Sequence, residues 1–310
     1  MAETIQVGGY EIQSSHSDKV FFPDAGITKG DLVEYYRRIA PSMLPHLRGR
    51  PLMMQRFPDG INASGFYQKQ APGYFPAWID TVSVQVQGRE NENMVVCGHA
   101  AGLVYLAEQG CITPHVWLSR RDRLHRPDRL IFDLDPAGRD FAPVRFAARA
   151  LRKILTELGL TPFLMTTGSR GLHVVAPLDQ SDAFDAVRTF ARDLGRLLSA
   201  RHPDRLTTET RKEKRRGRLF LDYLRNSYAQ TTVAPYGVRA LPGAPVAAPL
   251  DWGELGRGGL TAGSYTIRNI FRRLGQKADP WADINRHARS LDEPRKRLDD
   301  LLVKETNKID

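Results

Sequence analysis

The stretch "RLIFDLDP" at residues 129–136 ends an apolar run with two aspartates separated by one leucine. Side chains alternate across a strand, so Asp133 and Asp135 project to one face while Leu134 points to the other. Two neighbouring carboxylates repel, and one is pushed toward its protonated form unless a cation partners the pair. Hard oxygen ligands suit Mg²⁺ or Mn²⁺, which commonly keep positions open for substrate phosphates. An ordinary solvated turn at a strand end can also read D-x-D-P, so the motif alone does not fix a function.

The elements that follow supply its context. Val144, Ala147, Leu151, Leu155 and Leu158 sit at helical spacing and predict a helix over 141–158. "PFLMTTG" (162–168) reads as a strand, "GSRG" (168–171) as a turn and "LHVVAPL" (172–178) as a strand. Phe184, Val187, Phe190, Ala191, Leu194 and Leu198 predict a helix over 183–199. "RLTTET" (205–210) and "RLFLDYL" (218–224) follow as strands joined by a basic loop. The order is β-α-β-β-α-β, the split βαβ arrangement of ferredoxin-like and RNA-recognition folds.

In that arrangement "LHVVAPL" lies between "RLIFDLD" and "PFLMTTG", antiparallel to both. Gly168, Ser169, Arg170 and His173 then stand beside Asp133 and Asp135. A glycine-flanked turn offers backbone N–H groups, a hydroxyl and a guanidinium to phosphates. Asp222 is a third acid, in an apolar run that needs a partner for it: a metal, Arg218 or Arg225. Three carboxylates would complete a two-metal centre, in which one ion activates an attacking oxygen and the other steadies the leaving group.

Composition narrows the classes. The 310 residues suffice for one large or two modest domains, and 41% apolar with 26% charged residues is ordinary for a globular protein. No apolar stretch is long enough to span a membrane, and the N-terminus has no signal-peptide pattern. Cys97 and Cys111 form no CxxC pair, which points to a reducing cytoplasm and no structural metal. The net charge of +10 points to a polyanionic partner. Six basic residues against one acid are packed into "RKEKRRGR" (211–218), immediately before a strand, a better-fixed position than a tail.

Upstream, Thr28 and Asp31 form a capping-box pattern before Leu32, Tyr35, Tyr36 and Ile39 at helical spacing. "PLMMQRF" (51–57), "VSVQVQG" (82–88) and "CITPHVW" (111–117) read as strands, and "HAAGLVYLAEQG" (99–110) as a short helix. The Pro/Gly/Ala-rich region after about 235 is expected to wrap the surface as irregular chain. The fold class is therefore mixed α/β (α+β). An N-terminal α/β module (1–120) is expected, then a βαββαβ core (121–255) and a helical extension (256–310).

"FDLDP", "TTGSRGLHVVAPL", "RGRLFLDYLRNSYAQTTVAPYGVR", "SDKVFFPDAGITKGDLVEYY" and "GFYQKQAP" occur in an order that resembles the polymerase domain of bacterial ATP-dependent DNA ligase D. That family belongs to the archaeo-eukaryotic primase superfamily and serves non-homologous end joining. The resemblance runs from about residue 14 to 255 and implies a primase-polymerase fold. It implies a template-directed nucleotidyltransferase with Asp133, Asp135 and Asp222 as catalytic and metal-binding acids. Mn²⁺ or Mg²⁺, nucleoside triphosphates and a preference for ribonucleotides come with it. Nucleotide contacts fall on Thr167, Ser169, Arg170, His173, His115 and Arg239. Lys19 and Lys29 match lysines that grip the 5′-phosphate of a gap or break, and Phe66 and Tyr67 match an aromatic pair that stacks on template bases. Lys69, Lys212 and Arg215 are further DNA-backbone candidates. Implied partners are broken or gapped DNA, Ku and a ligase, in the cytoplasm at the nucleoid.

Departures from relatives are Tyr67 for phenylalanine, Gln55 and Gln230 for lysine, and His16 for an asparagine at the phosphate pocket. No ligase "KxDG" nucleophile is present, so the chain is expected to be a stand-alone polymerase or one part of a larger ligase. A haloacid dehalogenase-type phosphatase is set aside because Ala137 stands where that class needs threonine or valine. A non-catalytic RNA-recognition-like module would place aromatics, not acids, on its central strands. A primase that starts strands de novo remains the alternative within the superfamily.

Overall fold

The structure, a computed structural model, describes residues 3–85, 90–136, 138 and 140–307. The chain forms two compact units. The first comprises Met1–Asp122, Thr231–Ala248 and Gly263–Ala282; the second comprises Arg123–Gln230, Pro249–Ala262 and Asp283–Asp310. Both units are discontinuous in sequence, and the segment after 256, expected as a single extension, divides between them.

The first unit is built on a six-stranded antiparallel sheet. Thr231–Val233, Cys111–Trp117, Pro51–Arg56, Glu92–Val96 and Thr81–Val84 follow in that order, and Phe66–Gln68 also pairs with Pro51–Arg56. The alternating run expected over 82–88 is a strand through Val84, and 86–89 lie outside the described residues. The helix Lys29–Leu47 starts at the anticipated capping box: Thr28 Oγ1 accepts from the Asp31 N–H at 3.2 Å, and Asp31 Oδ2 accepts from the Thr28 N–H at 2.9 Å. Leu32, Tyr35, Tyr36 and Ile39 are buried on one face of it.

The Pro/Gly/Ala-rich chain after 235 is irregular, as expected, but it does not lie on the surface. Tyr236, Val238, Ala244, Val246 and Ala248 are fully buried in the core of the first unit. Hydroxyls of the preceding helix make this possible: Tyr35 donates to the Tyr236 carbonyl at 2.7 Å, and Tyr36 accepts from the Val238 N–H at 3.1 Å. A segment without periodicity can be buried when side chains take up its backbone polar groups.

The second unit holds the split βαβ. Arg129–Leu134, here the aspartate strand, and Phe163–Thr166 flank Leu172–Pro177, which is antiparallel to both, and Pro249–Leu250 extends the sheet beyond Phe163–Thr166. The helices Ala142–Glu157 and Phe184–Arg201 bury Val144, Ala147, Leu151, Leu155, Val187, Phe190, Leu194 and Leu198. The last two expected strands are shorter than their patterns suggested. Only Leu206–Thr207 and Leu219–Phe220 pair, in parallel, and Asp222 alone bridges antiparallel to Asp133. The sheet ladder stops there because Asp222 Oδ1 accepts the Leu224 N–H at 2.9 Å and turns the chain.

Two glycines shape the hairpin between Phe163–Thr166 and Leu172–Pro177. Gly168 takes a φ of +65°, and at Gly171 a Cβ would stand 2.0 Å from the Leu134 carbonyl oxygen. The hairpin end is thus pressed against the backbone of the aspartate strand. Gly171→Ala is expected to destabilise the protein by about 1–3 kcal/mol or more through this overlap, read as a lower denaturation midpoint; an unchanged midpoint would mean that the hairpin and strand separate freely.

Candidate active site

Strand register sets the site. Asp133 lies opposite His173, and Leu134 opposite Leu172, so the Gly168–Gly171 turn reaches the end of the aspartate strand. There Arg170 Nη2 donates to Asp135 Oδ2 at 3.1 Å. On the other edge, Asp133 and Asp222 exchange backbone hydrogen bonds, each N–H donating to the other's carbonyl at 3.3 Å. His173 Nε2 stands 3.5 Å from Asp133 Oδ1. Arg225 Nε lies between the two acids, 3.6 Å from Asp133 Oδ2 and 3.8 Å from Asp222 Oδ2. Asp133, Asp135 and Asp222 line one cavity of about 390 Å³ together with Arg170, Lys212, Arg215, Arg218, Phe220 and Arg225.

The basic loop is tied down, not dangling. Arg215 donates from Nε to the Glu209 carbonyl at 2.9 Å and from Nη2 to the Thr210 carbonyl at 2.8 Å, and its guanidinium covers the Phe220 ring at 4.1 Å. Thr167 fastens the hairpin turn. It is buried, and its Oγ1 accepts the Gly171 N–H at 3.1 Å and bonds the Gly171 carbonyl at 3.2 Å, which holds the turn that presents Ser169 and Arg170.

Burial first, then the neighbouring Asp133 carboxylate, raises Asp135 above the usual carboxylate range, against the pull of Arg170. Burial likewise raises Asp222, opposed by the Leu224 N–H and reinforced by Asp133. In this arrangement each acid faces a guanidinium. Among the described residues, no three carboxylate, imidazole or thiolate groups are gathered to hold one ion. The donor set still suits a hard divalent cation: three carboxylates, two of them held toward protonation, on one cavity whose present counter-charges are arginines.

The remaining candidates lie in the first unit. Phe66 and Tyr67 are 46% and 59% exposed on their strand, so they are not core residues. Tyr67 meets His115 edge-on at 5.9 Å between ring centres. Lys69 is exposed and Arg239 half-buried. A second cavity, of about 260 Å³, is lined by His16, Lys19, Lys29, Arg56 and Glu108 among others. Lys29 is buried there, 2.6 Å from Glu108 Oε2, and donates to the Ser15 carbonyl at 2.7 Å; Lys19 pairs with Asp59. His16 has a φ of +54°, a left-handed conformation in which asparagine, aspartate and histidine are the enriched non-glycine residues.

Sequence reasoning undervalued Arg225, weighed only as a salt-bridge partner, and passed over Gly171 and Asn226. Asn226 carries no signal in the sequence, because 218–224 reads there as an unbroken strand and the chain leaves the sheet only in the structure.

A split βαβ sheet with Asp133 on its first strand and Asp135 just past the strand's end, with Asp222 bridged to Asp133 and a clamped basic loop, defines a primase-polymerase-type domain. The family model described as "LigD, primase-polymerase domain" matches residues 28–281, and the chain belongs to that family. The multifunctional non-homologous end joining DNA repair protein LigD of Mycobacterium tuberculosis is 33% identical over 274 residues, 86% of this chain and 36% of that protein. Its counterpart in Pseudomonas aeruginosa is 34% identical over 278 residues, 88% of this chain and 32% of the relative. The bifunctional LigD of Bacillus subtilis is 29% identical, over 92% of this chain and 45% of the relative. The chain thus spans less than half of each of these proteins. The polymerase domain of M. tuberculosis ligase D, solved in complex with DNA, superposes with a TM-score of 0.84 at 30% identity, over 89% of this chain and 99% of that one.

Raised carboxyl groups have a definite pH signature. Asp135 and Asp222 hold protons more tightly folded than unfolded, so their contribution to stability is present at low pH and is lost as pH rises through their raised values. The thermal midpoint of metal-free wild type minus that of Asp222→Asn should therefore fall as pH rises from the ordinary carboxylate range upward. Added Mn²⁺ should stabilise wild type increasingly over the same window. A pH-independent difference would contradict the assigned environment of Asp222.

Proposed function

We propose that this chain is a template-directed nucleotidyltransferase that adds nucleotides, with ribonucleotides preferred, to a 3′-hydroxyl at gaps and breaks in DNA. The observation that carries the proposal is the meeting of Asp133, Asp135 and Asp222 in one cavity beside Arg170, Lys212 and Arg215. In the reaction, the primer 3′-oxygen forms a bond to the α-phosphorus of a nucleoside triphosphate, and the bond to the pyrophosphate oxygen breaks. Asp133, Asp135 and Asp222 would hold Mn²⁺ or Mg²⁺, which would supply positive charge for the attacking and leaving oxygens.

The protein's own groups do the rest. Ser169 and Arg170, on the hairpin turn, face the triphosphate, and Arg170 leaves Asp135 for it. His173, buried 3.5 Å from Asp133 Oδ1, is a further nucleotide contact. His115 and Arg239 contribute further nucleotide contacts. Lys212 and Arg215, with Lys69, offer side-chain charge to the nucleic-acid backbone. Phe66 and Tyr67 offer exposed rings to template bases, where stacking is worth about 1–3 kcal/mol per base and tolerates any sequence. Lys19 and Lys29 take the 5′-phosphate across the gap. Named relatives act in non-homologous end joining, and a place in that process, with Ku and a ligase as partners, is part of the same reading.

The test is extension of a gapped duplex, with and without a 5′-phosphate, using rNTPs or dNTPs in Mn²⁺ or Mg²⁺. Asp133→Ala and Asp222→Ala should each lower extension by more than the roughly 10–100-fold typical of changes outside the metal-ligand shell, with DNA binding retained. Full activity in either variant would remove that residue from the centre. Lys19→Ala should erase the preference for a 5′-phosphorylated gap without loss of stability. Lys29→Ala should erase it too, and should also destabilise the fold by about 3–5 kcal/mol, because the buried Glu108 carboxylate loses its paired cation and keeps the Ser14 hydroxyl. An unchanged preference in both lysine variants would refute the phosphate pocket.

A further inference from the structure

Asn226 lies four residues beyond Asp222 and is fully buried. Its side-chain amide does what a neighbouring strand would do. Oδ1 accepts the Ile131 N–H at 2.8 Å, and Nδ2 donates to the Ile131 carbonyl at 2.7 Å. Nδ2 also donates to the Tyr223 carbonyl at 2.9 Å, which closes the short turn Leu224–Asn226.

Ile131 is two residues before Asp133 on the aspartate strand, so both present their backbone groups to the same edge. At Asp133 that edge is filled by the backbone of Asp222; at Ile131 it is filled by the amide of Asn226. The chain departs from the sheet after Asp222, and one side chain replaces the missing rung. The two rungs differ in quality. The Asp133–Asp222 bonds are 3.3 Å long and join residues whose carboxylates repel, whereas the Asn226 bonds are short and free of charge.

We infer that Asn226 is a positioning residue: it clamps the Asp222 turn to the aspartate strand and so holds Asp222 beside Asp133 against their mutual repulsion. This rests on the reading of those acids as the metal-holding centre. The clamp itself is a property of the fold that can be measured without metal.

The experiment compares the full chain with Asn226→Ala and with Trp252→Phe. The latter removes a part-buried hydrogen bond to the Pro162 carbonyl near the opposite edge of the same sheet. Amide hydrogen exchange is read first in metal-free protein. Protection at the Asp133 and Asp222 amides should fall about tenfold or more in Asn226→Ala, the ratio expected for one lost buried hydrogen bond. Protection at Leu164 and Met165, on the far strand, should stay. Trp252→Phe should leave Asp133 and Asp222 protected.

Mn²⁺ affinity, titrated by electron paramagnetic resonance on the same samples, should then fall about 10–100-fold in Asn226→Ala alone. If the alanine variant does not fold, Asn226→Asp reports on the same amides, since it keeps the acceptor and loses both donors. Unchanged protection at Asp133 and Asp222, or an equal loss at every strand, would overturn the inference. If protection falls as expected while wild type binds no Mn²⁺, the clamp stands and the polymerase reading is the one that fails.

Discussion

One backbone bridge governs the site. Asp133 and Asp222 are 89 positions apart in the chain, yet each donates its N–H to the other's carbonyl. Paired residues in an antiparallel bridge carry their side chains on the same face. The bridge therefore forces two carboxylates together, and Asp135, one residue past the end of the aspartate strand, lines the same cavity. Such a set is unfavourable in itself: burial first, and then the Asp133 carboxylate, push Asp135 and Asp222 above the usual carboxylate range. The second unit surrounds it with compensation: Arg170, Arg225 and His173 as neighbours, Gly171 to let the hairpin close in, and Asn226 to lock the edge.

That compensation is made of the same groups that a triphosphate and a nucleic acid need. Arg170 sits on a turn, and Lys212 and Arg215 sit on a short helical turn pinned by carbonyls and by the Phe220 ring. A guanidinium that neutralises a carboxylate in one state can face a phosphate in another, because it has five donors and only some are engaged. The acids and the arginines are thus two halves of one electrostatic arrangement.

The legible parts of the sequence were those with a period. The two amphipathic helices, the strand triplet around Leu172–Pro177 and the placement of Arg170 and His173 beside the acids all follow from spacing and topology. What spacing could not give was anything set by single bonds. Asp222 was expected at an edge of the sheet, but its tie to Asp133 depends on one isolated bridge, and the strands around it are two residues long. The chain after 235 looked like surface because it has no period, yet Tyr35 and Tyr36 hydroxyls draw it into the core. The bonds by which Thr167 fastens its own turn have no sequence signal either. Compact units that each use three stretches of chain were likewise invisible to a reading made from left to right.

The central claim is that these three carboxylates act together on one divalent centre. Anomalous diffraction from crystals of the protein grown with Mn²⁺ and a non-hydrolysable nucleoside triphosphate tests it directly. The account requires manganese density contacting Asp133, Asp135 and Asp222 and the triphosphate at once. Manganese bound elsewhere, or bound with the Asp222 carboxylate still turned to Arg225 and away from the ion, would contradict it.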